Sequence, residues 1–441
     1  MTLPRFAATL AVCFVLLLPT TTAPVLAGDN LGTERGNMKS VLNVVSKELE
    51  KNFYDSEMKG LEWKALTEQA KQKIDNAQSV AEMMRAIFIL AEKLGDSHTR
   101  FLPPSRNVSY KFGFNAKPIG DEVHVYDVKE NGAAEAAGLK VGDRILTVNK
   151  FRADRKTFDV MMWDFRVIQN APTIELKVQT DQEPPRVIQL EAKKRVQGVI
   201  LDLTRDSGDV WDLIRELEKT EPWNYQQFKD GIGLVQVREF EYGGENFVYS
   251  LVERSQATRA IILDLRNNGG GAEDALKSLA GNFESEQVVM GTIKGRKKDD
   301  QLVVKPHRPH YEMPMYILID SETGSAAEMF AKHFQLRKKA VIIGDRSSGR
   351  VTRSMYFSEQ IGTDQVIPFG VQIGVSRFVF PDGTELEKNG VTPDVQCIPT
   401  GREMREQRDV CAEKAVAMAR EKLGLAPDSS TSDAKRAEVS H

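Results

Sequence analysis

Two apolar runs, each leading through a loop into a helix, constrain this chain more than any other feature. Ala260-Ile261-Ile262-Leu263-Asp264-Leu265 and Met315-Tyr316-Ile317-Leu318-Ile319-Asp320 read as buried strands. The first enters Arg266-Asn267-Asn268-Gly269-Gly270-Gly271, then a helix with Leu276, Leu279 and Phe283 on one face. The second enters Thr323-Gly324-Ser325, then a helix over Ala326–Phe334. A third run, Ala340–Gly344, follows. This alternation predicts an α/β core over residues 196–400. Residues 401–425 read as a C-terminal helix, and the polar tail 426–441 as disordered.

The upstream half differs. Residues 28–105 read as helical. Ser79-Val80-Ala81-Glu82 is a capping box, Met83, Ile87, Leu90 and Leu94 keep helical spacing, and Gly95 suits a C-cap. His98 then lies just past a helix end, before Pro103-Pro104. Residues 106–195 read as a β-rich module with short helices. Val123, Val125 and Val128 suggest a strand, Gly132–Leu139 a small-residue helix, and Val141-Gly142-Asp143 a tight turn.

Residues 1–27 carry a different signal. Arg5, the apolar run Phe6–Leu18 and Val25-Leu26-Ala27 together predict a secretory signal peptide. No later segment reaches ~18 consecutive apolar residues, so no further membrane span is expected. The predicted location is periplasmic or secreted. Signal cleavage leaves Cys397 and Cys411, which form either one disulfide or two thiols. Their spacing matches no zinc site, and neither metal nor cofactor is expected. A formal net charge of -3 argues against a nucleic-acid surface.

Both loops place backbone N–H groups at a helix N-terminus, where negative charge is stabilised. One offers glycines that let a ligand approach the backbone; the other offers a hydroxyl. Together they can build an oxyanion hole. Yet Ser325-Ala326-Ala327-Glu328 is equally an ordinary capping box. The triple glycine can be a plain turn, and no Lys-Ser/Thr follows it to make a P-loop.

In order along the chain, several stretches carry a resemblance: Leu94-Gly95-Asp96-Ser97-His98-Thr99; Gly138-Leu139-Lys140-Val141-Gly142-Asp143-Arg144-Ile145-Leu146; Gly231–Phe240; Asp264–Gly271; Gly324–Glu328; and Asn389-Gly390-Val391-Thr392-Pro393-Asp394. They resemble the C-terminal processing peptidases and their relatives, the tricorn protease core and the interphotoreceptor retinoid-binding modules. The resemblance implies a PDZ domain at 106–195 and a crotonase-like α/β core. It implies Ser325 as nucleophile, with the Gly270 and Ala326 N–H groups as oxyanion hole. The loop Tyr110–Asn115, with Phe112, Gly113 and Phe114, is the implied site for a peptide terminus; a purely structural PDZ spacer is the alternative.

The family's serine–lysine dyad would place its lysine at Arg350, and arginine cannot serve as a base near neutral pH. Arg350 either binds a substrate carboxylate or is structural. The tricorn-like branch uses serine, histidine and glutamate, which map to Ser325, His98 and Glu387, with Glu385 a nearby rival. Among the six histidines, His333 shares the Ser325 helix but sits ~12 Å along it. The expected function is an exported endopeptidase acting on polypeptides. The alternatives are an inactive peptidase-like scaffold that binds chain ends, or a small-ligand carrier.

Overall fold

The computed structural model describes residues 28–104, 108–196, 223–228, 230–241, 258–308, 310–362 and 366–426. Residues 1–27, expected to be a signal peptide, and the tail from 427 onward, expected to be disordered, lie outside the described residues. Among the described residues, no helix is long and apolar enough to cross a membrane.

A six-stranded sheet forms the centre, in the order Trp223–Gln227, Ile232–Val237, Ala260–Asp264, Met315–Ile319, Ala340–Gly344, Val395–Gln396. Only the first pairing is antiparallel. Alternation along the apolar runs explains why they lack a polar face. Ile261, Leu263, Ile317, Ile319 and Ile342 enter one core, under helices Glu273–Gly281 and Ala326–Leu336. Ala260, Ile262, Tyr316, Leu318 and Ile343 enter another, under helix Val410–Lys422. A sheet covered on both faces buries both sets of side chains.

Residues 401–425, expected as one helix, form two, Gly401–Arg405 and Val410–Lys422. The chain breaks at Gln407, which takes φ +54°, and Asp409 caps the second helix through the Ala412 N–H. A disulfide joins Cys397 to Cys411. Asp409 also receives both Arg266 terminal nitrogens, at 2.8 and 2.7 Å, so the C-terminal helix grips the glycine loop.

A second, five-stranded sheet contains Arg100–Leu102, Ile367–Val379, Val288–Gly295, Asp299–Val304 and Arg353–Ile361. Its Arg100–Leu102 strand belongs to the segment expected to be helical. It pairs antiparallel with Ile367–Val379, Arg100 opposite Gln372. Phe101, Phe369, Val371 and Ile373 share one core with the helices Gly28–Asn52, Trp63–Asn76 and Val80–Glu92. The short strand thereby carries the preceding turn, with His98, to the second sheet.

The PDZ module has its own core around Val123, Val125, Ile145, Leu176 and Val178. Its sheet runs Phe114–Ile119, Glu122–Val128, Arg144–Val148, Thr173–Gln179, Arg186–Glu191, with Phe151–Arg152 paired to the third. Strands Val108–Lys111 and Lys193–Val196 pair and close its neck. Towards the N-terminal helices its contact is mainly apolar, through Val160, Trp163 and Ile168, with an ion pair from Arg85 to Asp164 at 2.7 Å. Towards the core it is ionic: Lys117 with Asp320, Arg155 with Asp345, Asp159 with Arg350 and Asp181 with Arg405.

Candidate active site

Ser325 ends the loop after strand Met315–Ile319 and starts helix Ala326–Leu336. Its φ is +50°, a region costly for a residue with a Cβ. Such a conformation persists only where the surroundings enforce it, and here they do. The Ser325 N–H donates to the Arg350 carbonyl at 2.7 Å and to the Glu328 carboxylate at 3.2 Å. Glu328 is fully buried and accepts from Ser347 Oγ, the Gly349 N–H, the Arg350 N–H and Ser348 Oγ. Burial pushes its pKa up, and these hydrogen bonds oppose that shift.

The glycine loop lies against Ser325. A Cβ on Gly270, whose φ is +113°, would come 2.5 Å from Ser325 Cβ and 3.0 Å from the Ala326 nitrogen. Asp320 joins the two loops, accepting from the Asn267 N–H at 3.0 Å and the Thr323 N–H at 3.1 Å. Lys117 of the PDZ module binds the same carboxylate and holds its pKa down against burial. The Gly324 N–H donates to the Asn268 carbonyl at 2.8 Å.

The two expected oxyanion donors differ in state. The Ala326 N–H, first of its helix, makes no hydrogen bond among the described residues. The Gly270 N–H donates at 2.8 Å to Asn268 Oδ1. Asn268 is itself buried and fixed through its Nδ2 to the Val237 carbonyl at 2.7 Å. A substrate oxyanion that uses Gly270 has to displace the Asn268 side chain.

His98 and Glu387 come together through a residue that sequence reasoning passed over. Ser97 Oγ lies 2.9 Å from His98 Nδ1 and 3.0 Å from Glu387 Oε2. The Ser97 N–H adds a bond to Glu387 Oε1 at 2.8 Å. A carboxylate only accepts, so Ser97 Oγ donates to Glu387 and takes the Nδ1–H of His98. This assigns the lone pair to His98 Nε2, the form a base needs. Burial lowers the His98 pKa, while Asp96 and Glu387 pull it back up. Ser97 lies within Leu94–Thr99, and its adjacency to His98 is the available sequence signal. The rival Glu385 pairs instead with Arg377 at 3.1 Å. His333 is buried against Glu284 at 2.8 Å.

The segment Arg350–Thr352 connects these groups. The Arg350 carbonyl holds the Ser325 N–H, and the Val351 and Thr352 N–H groups hold Glu387 at 3.1 and 3.3 Å. Among the described residues, no hydrogen bond joins the His98 ring to Ser325. The Arg350 side chain turns away to Asp159, on PDZ helix Phe158–Trp163. In the expected peptide loop, Phe112 and Phe114 bury their rings in the PDZ core. A Cβ on Gly113, whose φ is +79°, would come 3.5 Å from the Ala133 nitrogen at the start of helix Ala133–Ala136. Among the described residues, no group of three or more His, Cys, Asp or Glu side chains is arranged to hold a metal ion.

Comparison with known proteins finds the descriptions "Peptidase family S41" over residues 231–397, "PDZ domain" over 105–179 and "Tricorn protease C1 domain" over 37–87. The chain is similar to a chloroplastic carboxyl-terminal-processing peptidase 1 of Arabidopsis thaliana, 24% identical over 335 residues, covering 72% of this chain and 63% of that protein. It is also similar to a tail-specific protease of Haemophilus influenzae, 25% identical over 324 residues, covering 68% of this chain and 43% of that protein. The chain thus spans less than two thirds of the length of both. Among solved structures, mature CPAF superimposes with a TM-score of 0.66 at 14% identity, over 89% of this chain and 98% of that one. At such identity the likeness speaks to fold alone.

Proposed function

The chain belongs to the S41 peptidases of the carboxyl-terminal-processing and tricorn-like kind, and from that premise we propose that it is an exported serine-type endopeptidase whose PDZ domain presents polypeptide substrates. Ser325 Oγ attacks the scissile carbonyl, and His98 Nε2 takes its proton. Glu387, acting through Ser97, stabilises the imidazolium that forms. The resulting alkoxide meets the Ala326 N–H at the helix N-terminus, and the Gly270 N–H once Asn268 releases it. His98 then returns the proton to the leaving amine, and water hydrolyses the acyl-enzyme by the same route.

One observation carries this reading. Ser325, Glu387 and, through Ser97, His98 come from distant parts of the chain, yet all are tied to the Arg350–Thr352 segment. A structural cap would need none of the other partners. Arg350 fits a supporting place, since its backbone positions the serine while its side chain leaves the site.

A fluorophosphonate probe tests the nucleophile. The wild-type protein is expected to be labelled, and Ser325→Ala to stay unlabelled. An unlabelled wild type, with peptide substrates present, favours the peptidase-like scaffold, a reading that arginine at the lysine position supports. A second check uses pH. The base must be neutral, so kcat/KM falls as pH drops through the His98 pKa. Burial lowers that pKa, so the acid limb is expected below the ordinary value of 6.5. A midpoint above 6.5 in the free enzyme contradicts the assignment.

A further inference from the structure

One cation on the PDZ helix has no role in the chemistry above. Strand Phe114–Ile119 is the edge of its sheet, paired on one side with Glu122–Val128. Arg166, in the turn that continues helix Phe158–Trp163, reaches across to this strand. Its guanidinium lies 5.3 Å from the Phe114 ring centroid, and Nη2 is 3.5 Å from the Phe114 carbonyl. At the strand's other end, Ser321 Oγ of the core donates to the Pro118 carbonyl. The unpaired edge therefore runs from the expected peptide-terminus loop to the core loop that carries Ser325.

Arg166 is poorly satisfied where it stands. A guanidinium has five N–H donors, and 3.5 Å is at the outer limit of a hydrogen bond. Its Nε is shut off from water and has no acceptor. Burial lowers its pKa, with Tyr126 opposing. Two more deeply enclosed arginines have carboxylates: Arg266 has Asp264 and Asp409, and Arg155 has Asp345. A half-buried cation without a carboxylate is left poorly compensated, and a carboxylate supplied from outside relieves that cost.

We propose that this groove selects polypeptide chain ends with an acidic side chain among their last three residues, and that Arg166 reads that carboxylate. The inference rests on the PDZ module binding peptides, as proposed above. A chain end that adds as a strand beside Phe114–Ile119 requires the Phe114 carbonyl, so Arg166 must let go of it. The freed guanidinium exchanges a long bond to a neutral oxygen for a charge-assisted, two-point bond to a carboxylate. A glutamine in its place leaves the cation unpaired. The same helix carries Asp159, roughly two turns earlier, which pairs with Arg350 beside Ser325. The selecting residue and the link to the nucleophile loop thus share one helix.

The test uses the full-length Ser325→Ala protein, so that binding is read without cleavage. Fluorescein-labelled decapeptides carry Glu or Gln at each of the last three positions, with a free or amidated C-terminus, and anisotropy gives Kd. The best Glu peptide is expected to bind about tenfold more tightly than its Gln counterpart. Arg166→Met is expected to remove that ratio by weakening the Glu peptide, with the Gln peptide bound at least as tightly as by the parent protein, and Arg166→Lys to keep part of the ratio. Equal Glu and Gln affinities overturn the proposal, as does a ratio that survives Arg166→Met. Loss through Arg166→Met of discrimination only between acid and amide termini also overturns it, because Arg166 then reads the chain terminus. No binding of any peptide overturns the peptide-binding premise. A peptidase failure is seen separately, as wild-type protein that the serine probe does not label.

Discussion

His98→Ala is expected to lower kcat by about 10⁴-fold, and Arg350→Ala by about tenfold or less. The contrast follows from what each side chain touches. Removing the His98 ring removes the acceptor for the Ser325 proton and leaves Ser97 and Glu387 with nothing to polarise. Removing the Arg350 side chain takes away an ion pair to Asp159 that is well over a third exposed on both sides. The Arg350 backbone, which fixes Ser325 and Glu328, stays. Ser97→Ala should fall between them, because the imidazole then loses only its orientation and its connection to Glu387. Steady-state cleavage of a denatured protein by the three variants decides the matter. If Arg350→Ala is the dead variant and His98→Ala retains near wild-type turnover, the histidine assignment is wrong.

Gly270→Ala is expected to cost about 10³-fold in kcat with the fold largely intact. The new methyl group would sit 2.5 Å from Ser325 Cβ, far inside van der Waals contact, so the serine or the glycine loop must shift. It would also hold an alanine at φ +113°, a strain of about 1–3 kcal/mol. Serine-probe labelling should slow in step with turnover, while circular dichroism shows a cooperative melt at reduced Tm. Wild-type labelling by a folded Gly270→Ala protein would place the glycine loop away from the nucleophile.

The central strands were readable because local pattern determines them. A five- to six-residue apolar run flanked by loops has few other uses in a chain of this composition. The capping box at Ser79 was equally local, and its Ser79–Glu82 bond at 3.2 Å forms within one turn. Ser325 was less legible, since the same four residues describe a cap or a nucleophile. Only partners far away in sequence separate the two. Ser97 and Glu387 are 290 residues apart, and no periodicity announces such a meeting. The strand Arg100–Leu102 was missed for the same reason, because its partner lies beyond the whole PDZ module. Asn268 was hidden differently. Between glycines and a strand it reads as loop polarity, but in the fold it is fully buried and occupies the Gly270 N–H.

The PDZ module meets its two neighbours through a different balance of forces, and ionic strength acts more strongly on one of them. Its seat on the N-terminal helices is mainly apolar, through Val160, Trp163 and Ile168 beside the Arg85–Asp164 ion pair, and dissolved salt barely weakens the apolar contacts. Its grip on the core consists of Lys117, Arg155, Asp159 and Asp181 against charges of opposite sign. Counter-ions screen charges over a Debye length of about 8 Å at physiological concentration, and the exposed pairs at Asp159 and Asp181 are the first to loosen. Rising salt is therefore expected to loosen the module's grip on the core before its seat on the helical unit, with the enclosed Lys117–Asp320 and Arg155–Asp345 pairs the last to respond. The first to loosen include the Asp159–Arg350 pair, so the surrounding electrolyte is expected to act on the segment beside Ser325.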